Sequence, residues 1–245
     1  MTDARVRLWG RDIGAVSWIP DRAIGVFQYA PEFVLSGVEV APLMMPLREA
    51  PYEFPALPRD AFKGLPGLLA DSLPDKFGNA VIDAWLAGQG RTPDSFNPVE
   101  RLCYIGSRGM GALEFEPTIL APATGVKRLE ISALIGFANQ VLNDRQALAG
   151  RLGGDRDDAA AIEDIIRVGT SAGGARAKAI LAWNPQTGEF RSGQIGAGAG
   201  FSQWLIKFDG IAGNRDRELA DPQGFGLIEY AYHLMAQKAG ITMSE

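Results

Sequence analysis

Three stretches decide the reading: SAGGARAK at residues 171–178, QWLIKFDG at 203–210 and GLIEYAYHLMAQKAG at 226–240. The first is a glycine loop standing directly before a predicted strand, AILAW. Gly173 and Gly174 permit positive φ and close backbone approach, so successive N–H groups can converge on phosphate oxygens. No Gly-Lys-Ser/Thr follows, which separates the loop from a Walker A sequence. Most glycine clusters are plain turns, so the loop alone leaves both readings open. In the second stretch Lys207 interrupts an apolar strand. It is either an edge-strand lysine with a solvated tip or a partly buried one held for a phosphate, because desolvating an unpaired ammonium is costly. In the third, Glu229 borders an apolar stripe of Phe225, Ile228, Tyr232, Met235 and Ala239 at helical spacing. It is either a solvated helix carboxylate or the partner of Lys207, facing the sheet.

The rest of the chain bounds these alternatives. Its 245 residues are 47% hydrophobic and 22% charged, an ordinary globular composition. At this length folding buries roughly 70–75% of the unfolded surface, enough for a core without staples. The single cysteine, Cys103, excludes an internal disulfide framework and a multi-cysteine zinc site. The single histidine, His233, excludes paired-histidine metal sites. Lysine and arginine number 24 against 29 acidic residues, a net charge of −5, so nucleic-acid binding by bulk electrostatics is not expected. Arg101, Arg108, Lys127 and Arg128 could touch DNA or a partner, although scattered basic residues in an acidic chain are usually a solvated surface. The opening MTDARVRLWGRD is too charged for a secretory signal. The apolar stretches at 33–38 and 40–47, split by Glu39, fall short of the about 18 residues that span a bilayer. A soluble, cytoplasmic protein without membrane partners is expected.

Residues 5–33 read as short antiparallel strands, VRLWG, IGAVSWI and AIGVFQYA, with a turn at Arg11-Asp12. Pro42, Pro46, Pro51, Pro55 and Pro58 make the next segment extended, since proline has no N–H to donate. Two helices are well signed. One has Pro74 in its first turn and the stripe Phe77, Val81, Ile82, Trp85, ending at Gly88; the other opens on a possible capping box, Asn97-Pro98-Val99-Glu100. ALEFEP returns as a strand. A structure-poor stretch at 117–127 suggests a boundary, giving domains at 1–118 and 119–245. The second half then holds helices at 129–144 and 159–168, the glycine loop, a strand pair around NPQTG, the strand with Lys207 and the last helix. GAGAG at 196–200 reads as a flexible hairpin connection, since it opens no helix. Strands and helices in this order predict an α+β fold: a small sheet-and-helix domain, then antiparallel strands plus helices.

Cys103 follows a helix-facing pattern and reads as a core residue. A triad of His233, Ser171 and an aspartate lacks the Gly-x-Ser-x-Gly elbow, so His233 reads as a surface or packing residue.

In protein kinases a glycine-rich loop covers the nucleotide phosphates, a following strand supplies a lysine and a helix supplies its glutamate. That order is present here. Beyond it, SAGGARAK, QWLIKFDG and IEYAYHLMAQKAGI resemble the HipA family of bacterial toxin kinases. FKGLPGLLADSLPDKFGNAVIDAWL and RLCYIGSRGMGALEFEP in the first half resemble that family's amino-terminal region. The resemblance implies a kinase-like small lobe for the second domain and a serine/threonine protein kinase activity. It implies ATP with Mg²⁺ as cofactors and a protein substrate, for which aminoacyl-tRNA synthetases are an example. A small helix-turn-helix antitoxin is the implied partner, with DNA reached only through it. Phosphate contact falls to the backbone around Gly173, Gly174 and Ala175, with Lys207 the phosphate-binding lysine and Glu229 its ion-pair partner. Ser171 matches an autophosphorylation site that can expel the loop and silence the kinase. One departure is local: Arg176-Ala177 precede Lys178 where the family often has Gln-Glu. The other is the catalytic aspartate and Mg²⁺ ligands, which the family carries in a helical lobe after the glutamate helix. Asp209 and Asp221 precede that helix, so the resemblance implies an amino-terminal half, inactive alone, with no catalytic residue or metal ligand of its own. The alternative is a non-catalytic antitoxin-binding or regulatory module.

Overall fold

The computed structural model describes residues 2–109, 111–119, 178–193, 198–208 and 224–243. The expected helices at 129–144 and 159–168 and the glycine loop up to residue 177 lie outside them. Seven strands are described: β1 Thr2–Leu8, β2 Arg11–Ile19, β3 Ile24–Tyr29, β4 Leu113–Glu116, β5 Lys178–Asn184, β6 Glu189–Ser192 and β7 Ser202–Lys207. The described α-helices are α1 Pro31–Val34, α2 Arg59–Phe62, α3 Gly67–Ala70, α4 Lys76–Gly88, α5 Pro98–Ile105 and α6 Phe225–Lys238. All strand pairs among the described residues are antiparallel, and with the helices they make an α+β fold.

Two compact units emerge. The first holds the residues up to Asp75 and those from Arg91 through β4. Its sheet runs β3-β2-β1-β4. Alternation in β1 buries Ala4 and Val6, which join Ile13, Val16, Phe27, Tyr29, Leu102 and Phe115 in one apolar core. The proline-rich segment lies along the free edge of β3, where Phe27 and Tyr52 exchange backbone hydrogen bonds, each N–H donating to the other's carbonyl. Covering an edge strand in this way removes a surface on which other chains could pair. The buried Tyr29 hydroxyl donates to the Met45 carbonyl at 2.8 Å, tying the same segment down a second time.

The capping box forms as its spacing predicts. Asn97 Oδ1 accepts from the N–H groups of Val99 and Glu100 at 3.0 and 3.1 Å, and Asn97 N–H donates to Glu100 Oε2 at 2.7 Å. With Pro98 in the first turn, the donors at this helix start that need a partner are met locally.

The first turn departs from expectation. It falls at Trp9-Gly10, and Arg11 already belongs to β2. Trp9 (φ 49°) and Gly10 (φ 74°) are both left-handed, the geometry a two-residue hairpin needs to match strand twist. Tryptophan seldom takes that position, which is why the sequence pointed two residues too late.

The second unit contains Lys76–Gly90, the β6-β5-β7 sheet and α6. Helix α4, though it precedes α5 in the chain, therefore counts with the sheet of the second half. It begins at Lys76, two residues past Pro74, and buries Phe77, Val81 and Ile82 while leaving Trp85 half-buried. The β5–β6 turn closes on Asn184, whose Oδ1 accepts from the N–H groups of Gln186 and Thr187. Strands β6 and β7 each pair with β5 and not with each other, so the segment carrying GAGAG connects the two flanks of β5 and is no hairpin.

Candidate functional site

Strand β7 carries Lys207 to its last position, and helix α6 carries Glu229 on its first turn and a half. The two side chains meet: Lys207 Nζ donates to Glu229 Oε2 at 2.9 Å and to Oε1 at 3.1 Å. Neither is buried. Their side chains are 47% and 48% exposed, which corrects the expectation of a partly buried ammonium. The outermost position on a flanking strand leaves the lysine tip in water. Such a pair adds little to stability, and its effect is to hold the ammonium in one place.

The expected buried stripe on α6 is also corrected. No residue of this helix is buried, and Ile228, Tyr232 and Met235 are all more than half exposed. Leu227, Tyr230 and Leu234 are exposed as well, so apolar side chains occupy several faces of the helix. Periodicity picked out residues sharing one face; it carried no information about whether anything covers that face.

Sheet register adds a residue that the sequence reading passed over. Lys178 opens β5 directly opposite Lys207. Directly opposed residues in an antiparallel pair project from the same side, so two lysines share one corner of the sheet. Lys178 is only 6% exposed, which makes it the more buried of the two. The available signal was its position as the last residue of the glycine-loop motif and the first of the strand. Like charges directly across a ladder are unfavourable, and the Glu229 carboxylate on Lys207 offsets that repulsion.

The end of β7 is anchored from behind. Phe208, next to Lys207 and itself buried, meets the buried ring of Phe77 on α4 edge-to-face, with centroids 6.4 Å apart. Gly193 lets β6 close on β5, since a Cβ there would stand 2.9 Å from the backbone carbon of Ile180. These contacts fix the strand ends around the lysine pair.

Gly173, Gly174, Ala175 and Ser171 lie outside the described residues, as do Asp209 and Asp221. Cys103 is buried in α5, and burial, with Glu100 nearby, pushes its thiol up to about 11, far from a nucleophile's range. His233 stacks on Tyr230 within α6, ring centroids 6.0 Å apart. Arg108 turns its guanidinium toward the carbonyls of Tyr104 and Ile105 and over the Tyr104 ring, and burial lowers its pKa. That is a packing role. Among the described residues no three His, Cys, Asp or Glu side chains converge as a metal site, and no helix is long and apolar enough to cross a membrane.

Residues 4–116 match the family model described as the HipA N-terminal domain. No curated protein matches the chain.

Proposed function

We propose, for a chain whose residues 4–116 are a HipA N-terminal domain, that the second unit is the nucleotide-binding small lobe of a HipA-like serine/threonine protein kinase. The observation that carries the reading is the Lys207–Glu229 pair, formed between a strand and the helix that follows it. The chemistry of the donor set fits ATP: two ammonium groups on one corner of a sheet suit phosphate oxygens, and the carboxylate of Glu229 steers one of them. Lys207 and Lys178 would hold the phosphates, and the backbone at Gly173, Gly174 and Ala175 would close over them. ATP would supply the γ-phosphoryl group for a protein serine or threonine. In such transfers the protein contributes chiefly positioning and charge stabilisation.

Ser171 stands in this proposal as the switch. A phosphate there adds about −1.5 to −2 charge beside a site meant for other phosphates, and repulsion would drive the loop out. Mg²⁺, a protein substrate among the translation components, a helix-turn-helix antitoxin and a cytoplasmic setting belong to the same proposal. Calorimetric titration of the chain with ATP tests it. Binding heat that is lost in Lys207→Ala is expected; undiminished binding in that variant moves the phosphate site elsewhere.

A further inference from the structure

We draw no further inference here: the strongest candidate, the cavity of about 540 Å³ that Pro42, Met44, Phe54, Leu57, Phe62 and Leu68 wall in the first unit, is almost wholly apolar, and nothing in the structure shows what covers it.

Discussion

Lys207 and Glu229, 22 residues apart in sequence, form a forked ion pair in which one ammonium lies within 3.1 Å of both carboxylate oxygens. With both side chains half exposed, the pair is screened by solvent and contributes about 0–1 kcal/mol to the fold. Glu229→Gln should therefore leave the thermal transition almost unmoved while weakening ATP binding. Paired melting curves and titrations check this. A large loss of stability would mean that the carboxylate serves packing instead.

The lysine strand depends on its hydrophobic anchor. Phe77→Ala removes a buried ring against Phe208 and should cost about 3–5 kcal/mol. Hydrogen exchange should show faster opening of β7 amides, and ATP affinity should fall with it. Unchanged exchange in β7 would separate α4 from the site.

The Asn97 cap is a purely local device. Asn97→Ala removes the acceptor for two helix N–H groups and should destabilise the first unit by about 1 kcal/mol in denaturant titration. ATP affinity should not change.

Alkaline pH should weaken the fold. Burial raises the thiol of Cys103 to about 11 and the phenol of Tyr29 to about 12. Both groups ionise earlier in the unfolded chain, near their ordinary values of about 8.5 and 10. Their contribution is therefore complete below those values and is lost as pH rises through 11 and 12. Denaturation midpoints measured above pH 8 should fall, and Cys103→Ala should delay the onset. A flat profile would contradict the assigned burial of both groups.

What the sequence disclosed followed the range of the interaction. The Asn97–Glu100 box spans one helical turn, so its residues alone specify it. The strand lysine and helix glutamate were legible through their order in the chain. Trp9 was misplaced because tertiary structure imposes a backbone conformation that its side chain does not favour. Lys178 was passed over because sheet register, which brings it opposite Lys207, is set by pairing between distant segments. The exposure of α6 was hidden for a related reason: an apolar pattern records a preference for cover, and cover comes from elsewhere.

The most direct test of the proposed nucleotide site compares ATP with adenosine in calorimetric titrations of the wild type and Lys207→Ala. Losing a charge-assisted contact to phosphate should weaken ATP binding about 10- to 100-fold, with adenosine affinity unchanged. Equal affinity of both proteins for ATP, or an equal loss for ATP and adenosine, would contradict a phosphate-holding role for Lys207.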